Sequence, residues 1–175
     1  MRVGRRLWRS PGLLASSRDR PSARRPPPRP LPTPKRLQAA AGTYEALHLL
    51  TPGTRWRSAL ALAVAAEDPG QARQLAGREL AGARRAGQPR AAGIALRTRG
   101  MLEGGEQGLR DLSEATEVLA ASGARLEHAR ALVEFGAALR RANQRTAARA
   151  PLRTGLDLAH RCGAVRLAQR RGTSC

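Results

Sequence analysis

Aromatic side chains are almost missing from this chain: Trp8, Trp56, Tyr44 and Phe135 are all it has. A core must therefore be built from Leu, Ala and Val. Close-packed helices suit such a core, whereas a sheet favours β-branched and aromatic residues. The same scarcity argues against stacking platforms for single strands or RNA loops. Lysine is scarcer still, with Lys35 alone, so the basic charge is carried by arginine. Together with abundant Ala and Gly, that bias fits a GC-rich coding sequence. The only cysteines are Cys162 and Cys175, thirteen positions apart. With no C-x-x-C and no His/Cys cluster, zinc and dithiol chemistry have no support, and a reducing cytoplasm is the default expectation. No apolar run approaches the roughly 20 residues that span a bilayer; the longest, 59–66, is far too short.

Positive charge is in excess, at net +19. The first 40 residues hold 11 basic residues against one acid, Asp19, and so contribute +10. Prolines 26, 27, 28, 30, 32 and 34 in the same stretch block helix and favour extended chain. With little apolar surface to offset ordering entropy, 1–53 is expected to be a disordered Arg/Pro-rich tail. A bland linker, or a start codon placed too early, accounts for it. Its rivals are a nonspecific nucleic-acid arm, a ligand for a proline-recognition module and an organelle transit peptide. Arg5-Arg6 lacks the apolar run of a twin-arginine signal.

From Thr54 the pattern turns helical. Trp56, Ala59, Leu60, Ala63 and Val64 fall on one helical face. Asp68-Pro69 gives an N-cap followed by proline at the first helical position. Ala72, Leu75, Ala76, Leu80 and Ala83 continue a second stripe, and Gly87 supplies a left-handed stop. Thus 54–67 and 69–86 are expected to form an antiparallel hairpin. Pro89 opens a third helix, which Gly104-Gly105 breaks. Leu109, Leu112, Ala115 and Leu119 make the fourth stripe, ended by Ser122-Gly123. Leu126, Ala129, Val133, Gly136 and Ala137 begin the fifth, widened by Leu132, Phe135 and Leu139, with Asn143 suited to a left-handed turn. Ala148, Leu152, Leu156 and Ala159 form the sixth, closed by Gly163. Pro151 inside it predicts a kink, or a helix that starts near Ala150. The stopping glycines 87, 123 and 163 are 36 and 40 residues apart, a period typical of tetratricopeptide repeats. In the third unit Gly136, Leu139, Ala148, Leu152 and Gly155 fit the small and large positions of that repeat. The expectation is an all-α fold of stacked antiparallel helical hairpins, a tetratricopeptide-like superhelix of about three repeats over 54–168, with a frayed end at 169–175.

The runs ARALVEFGAALRRAN (129–143) and ARAPLRTGLDLAHRCG (148–163) resemble recurrent segments in the helical-repeat part of actinobacterial LuxR-type large ATP-binding transcriptional regulators. GQPRA (87–91), LEGGE (102–106) and, more loosely, TRWRS (54–58) fit the same region. The resemblance covers roughly 54–168 and implies a signal- or partner-sensing scaffold. In that family it lies between an N-terminal ATP-binding domain and a C-terminal DNA-binding helix-turn-helix. This chain departs from the plan. It has no G-x-x-x-x-G-K-[ST] phosphate loop, and after Gly163 no helix-turn-helix follows. A truncated or frameshifted fragment is the simplest expectation, and neither ATP hydrolysis nor sequence-specific DNA binding carries over to any residue.

Individual residues give no reaction centre. His48, His128 and His160 are scattered; His160 suits the end of a helix dipole. Cys162 reads as a small packing residue before a cap glycine, and Cys175 as an exposed terminal thiol. Glu103, Glu106, Asp111, Glu114 and Glu117 form an acidic stretch, expected to be a solvated face beside Arg110 rather than a carboxylate pair for acid–base work. Ser113, Ser122 and Ser174 sit in no nucleophile elbow. The pairs Arg84-Arg85, Arg140-Arg141 and Arg170-Arg171 suit helix C-termini, with a phosphate-contacting stripe as the rival. No catalytic, cofactor or metal residue is assigned. The expected role is a noncatalytic cytoplasmic scaffold that binds a protein partner on a concave repeat face, takes no cofactor and spans no membrane. Lacking a terminal cap helix, it is also expected to self-associate. The alternative is nonspecific nucleic-acid binding through the basic tail.

Overall fold

The computed structural model describes residues 56–164 and the isolated positions Thr33, Lys35 and Ala39, of which Lys35 and Ala39 are helical. The rest of the tail 1–53, expected to be disordered, lies outside the described residues. So do the frayed end 169–175, His48, Ser174, Cys175 and Arg170-Arg171. The described helices all belong to the unit Pro32–Cys175. Among the described residues the fold is all-helical: α1 (Trp56–Val64), α2 (Pro69–Arg85), α3 (Pro89–Glu103), α4 (Gly105–Ala121), α5 (Arg125–Arg141) and α6 (Arg145–Arg161).

Local chemistry sets most of these boundaries. α1 is shorter than the expected 54–67, because the N–H groups of Glu67 and Asp68 both turn back to the Val64 carbonyl, at 3.0 and 2.8 Å. α2 starts where Asp68-Pro69 predicts, with the Asp68 carboxylate accepting the Gln71 N–H at 2.8 Å. Its end is closed by Gly87, at φ +60°. The Gly87 N–H donates to Arg84 O at 3.1 Å and the Gln88 N–H to Ala83 O at 3.0 Å, satisfying two orphan carbonyls. Asn143 (φ +60°) repeats this cap after α5, and Gly163 repeats it after α6. After α4 a hydroxyl does part of the work: Ser122 Oγ donates to Leu119 O at 2.9 Å and accepts the Ala124 N–H at 3.4 Å. Between α3 and α4 the joint is a single residue, Gly104, at φ +63° and ψ −166°, a region open essentially to glycine alone. α6 runs unbroken through Pro151, so the alternative start near Ala150 does not hold.

Each helix packs against the next, and in addition α1 touches α3 and α3 touches α5. The first helices of the three hairpins therefore lie side by side. Their register is strict. Trp56, Leu60 and Val64 of α1 correspond, 36 residues on, to Ala92, Leu96 and Gly100 of α3, and again 36 on to His128, Leu132 and Gly136 of α5. In the second helices Ala72, Ala76, Glu79 and Ala83 correspond to Gly108, Leu112, Ala115 and Leu119, then after a 40-residue step to Ala148, Leu152, Gly155 and Ala159. Relative to the middle hairpin, two of the four additional residues lengthen α5 and two lengthen the α5–α6 turn.

Leu96, Leu112 and Leu119 are fully buried, and each contributes about 1.5–3 kcal/mol by leaving water. One core cluster joins Trp56, Leu60, Ala61, Val64, Ala72 and Ala76. A second runs from Leu80 and Ala83 through α3 and α4 to Ala131 of α5. Small residues let the helices close on each other. A Cβ on Gly108 would stand 2.6 Å from the Gly100 carbonyl oxygen, and one on Gly136 would stand 2.5 Å from Leu152 Cγ. The buried set departs from simple periodicity in α1. Ala59, expected inside, is exposed, while Ser58 and Ala61 are buried.

Candidate interaction surface

Three carboxylates are buried where the hydrophobic pattern alone places none: Glu79, Asp111 and Glu127. Each is used to join helices. Glu79 of α2 accepts the Ser58 N–H at 2.6 Å, satisfying a donor in the first turn of α1. Asp111 of α4 takes a two-pronged contact from Arg99 of α3, Nε and Nη2 both at 2.6 Å, and a further bond from Gln107 Nε2 at 2.9 Å. The hydrogen bond to Asp111 raises the Arg99 pKa. Glu127 of α5 bridges two guanidiniums, Arg97 Nη1 of α3 at 3.0 Å and Arg130 Nη1 of its own helix at 2.8 Å. Burial of Arg97 lowers its pKa, opposed by the Glu127 charge. Arg97 Nε is buried without a hydrogen-bond partner, as are Trp56 Nε1 and Ser58 Oγ.

The remaining pairs follow the same plan. Arg73 of α2 meets Glu103 of α3 at 3.3 Å, and Arg84 of α2 meets Glu114 of α4 at 2.5 Å. Glu106 pairs with Arg110 one turn on, at 2.8 Å. The acidic stretch of the middle hairpin is therefore not one solvated face. Asp111 is an internal anchor, Glu103 and Glu114 tie neighbouring hairpins, and only Glu106 pairs with Arg110 as a surface residue. Arg84, expected as a dipole-complementing cap, reaches Glu114. Glu103, Glu106, Asp111, Glu114 and Glu127 are each held by an arginine rather than facing one another across a cleft.

The histidines and the described cysteine stay apart. His128 is half-buried on α5, with its pKa lowered by desolvation, and His160 is exposed at the end of α6. Cys162 is exposed, not the packing residue expected, because the cap after α6 turns it outward. Ser113 lies within α4, and Ser122 serves the cap described above. Among the described residues no group of three His, Cys, Asp or Glu is placed to hold a metal ion. No helix among them is long and apolar enough to cross a membrane.

Two surface features remain. An open depression of about 580 Å³ lies between the α2–α3 turn and the end of α4, lined by Gly87 to Ala91, Ile94 and Ser122, with Arg90 its only ionisable side chain. The other is the flank made by the side-by-side first helices. There Arg97 and Arg130 converge on Glu127, and the equivalent positions Ala65, Met101 and Ala137 follow at one level. Met101 is among the few large apolar side chains left exposed. Sequence reading missed the convergence, since it joins residues 30 apart on different helices and does not repeat along the register. Set against known proteins, the chain matches no family model, no curated protein and no solved structure.

Proposed function

We propose that residues 54–168 form a noncatalytic, tetratricopeptide-like superhelix that binds a protein partner along the flank of α1, α3 and α5, in the cytoplasm. The observation that carries this reading is the lateral contact of α1 with α3 and of α3 with α5. It aligns equivalent residues of successive hairpins into one continuous surface, as stacked repeats do. The resemblance of 129–143 and 148–163 to LuxR-type regulators supports a helical-repeat segment of such a regulator. Met101 is the test position. Interaction partners recovered by the full chain are expected to be lost with Met101→Glu and kept with Arg153→Glu on the exposed side of α6. Equal loss or equal retention in both variants refutes the assigned flank.

A second reading is favoured by one observation, the +10 charge of the first 40 residues: a nonspecific nucleic-acid arm. It predicts duplex-DNA affinity that falls steeply with salt and disappears when residues 1–40 are removed. Affinity unchanged by that deletion refutes it.

A further inference from the structure

The two ends of the hairpin stack carry the two halves of the same contact. In the middle hairpin Leu96 and Leu112 are fully buried. Their counterparts in the last hairpin, Leu132 and Leu152, are only half-buried, and among the described residues no further hairpin follows it. At the other end the complement appears. Ala95 of α3 and Ala131 of α5 are fully buried, yet the equivalent Ala59 of α1 is exposed. Thr98 of α3 is fully buried, and its equivalent in α1 is Leu62, 41 % exposed. The first hairpin thus presents to solvent one position that α3 and α5 both bury and one that α3 buries, and the last presents half-covered leucines where the middle hairpin has fully buried ones.

The charges follow the register too. Arg73 of the first hairpin meets Glu103 of the second. Moved along the register to the outer hairpins of the described stack, Arg73 becomes Arg149 on α6 and Glu103 becomes Glu67 at the α1–α2 turn, and both are exposed. The other cross-links do not transfer: Arg84 and Glu114 become His160 and Arg78, while Arg97 and Glu127 become Val133 and Arg55. One junction pair is therefore singled out.

We propose that the chain associates head to tail with a second copy of itself, α1 of one copy seated on α5 and α6 of the next, with Arg149 of one facing Glu67 of the other. The covering surface that the register demands is a first helix beginning a new hairpin, which is what α1 is. Such a contact joins two different patches, so it extends into open oligomers instead of stopping at a symmetric dimer. The inference rests on the stacked-repeat reading but not on any partner.

The test uses the full chain freed of nucleic acid, with mass followed by sedimentation across a concentration series. Wild type is expected to grow in mass with concentration. Arg149→Glu alone and Glu67→Arg alone place like charges at every junction, and each should weaken association about tenfold. An equimolar mixture of the two variants makes every alternating junction complementary again and should restore association, as should the double variant. Leu62→Glu, an exposed position, should abolish association with helical content unchanged in circular dichroism. A wild type that stays monomeric, swaps without effect, or a mixture that fails to recover overturns the head-to-tail contact while leaving the partner-binding flank standing. Loss of helix in the wild-type spectrum overturns both.

Discussion

The backbone approach of α3 and α4 gives a sharp test of the packing. Gly100 and Gly108 face each other where α3 and α4 diverge from Gly104, and a methyl group on Gly108 would stand 2.6 Å from the Gly100 carbonyl oxygen. The obstacle is backbone, so no side chain can rotate away. Gly108→Ala forces α3 and α4 apart and loosens the nearby fit of Leu112 beside Gly100. Overpacking of this kind costs about 1–3 kcal/mol, opposed by up to about 1 kcal/mol of helix propensity gained by replacing glycine. The net expectation is a loss of about 1–2 kcal/mol. At about 4–8 °C per kcal/mol for a domain near this size, the melting temperature falls by roughly 5–15 °C. Gly82→Ala in α2 isolates the propensity term, since a methyl there meets nothing within 4 Å; it should stabilise by about 0.5–1 kcal/mol. Urea and thermal unfolding followed by helical circular dichroism give both values. If Gly108→Ala proves as stable as Gly82→Ala, α3 and α4 do not cross as closely as described.

Asp111→Ala strips a buried two-pronged partner from Arg99 and should cost about 2–3 kcal/mol in urea unfolding, below the full buried-pair penalty because Arg99 retains 27 % exposure. Pro151→Ala restores an N–H to the interior of α6 and is expected to raise the melting temperature, with a gain of about 1–2 kcal/mol; a lower melting temperature would mean that the ring's packing outweighs the missing bond. For His128 the folded-state pKa lies below its unfolded value of 6.5, so the unfolded chain binds the proton more readily. Stability is then full above that value and declines as pH falls through it towards the lower folded pKa. His128→Gln removes this contribution, and melting curves between pH 8 and 5 should show the wild type losing more stability than the variant on the acid side.

The helix order was legible because the stops and starts have their own chemistry. Asp68-Pro69, Pro89, Gly104, Asn143 and the closing glycines each act within a few residues, so they can be read without knowing the packing. The stripes were legible in part, since a repeat built from Leu and Ala has weak contrast: Ala59 and Ala61 are alike in sequence and opposite in burial. The buried carboxylates were not legible from periodicity, which assigns charge to the solvent side. Two of their positions do stand out once the hairpins are superposed. Glu79 occupies the column of Ala115 and Gly155, and Asp111 that of Leu75 and Pro151, whereas Glu127 shares its column with Arg55 and Ala91 and does not stand out. A carboxylate in a column of small or apolar residues is a candidate anchor. The distinction between Asp111 as anchor and Glu106 as surface residue needed three-dimensional neighbours, because the two lie only five residues apart.

The unequal hairpin tips have an engineering consequence. Four residues more, shared between the end of α5 and the α5–α6 turn, left the paired inward positions in phase. The neighbourhood of Ala142 to Gln144 is thus the place where length can change without retuning the interior. Grafted loops, affinity peptides or fluorescent reporters should be accepted there, and rejected at the one-residue joint of Gly104.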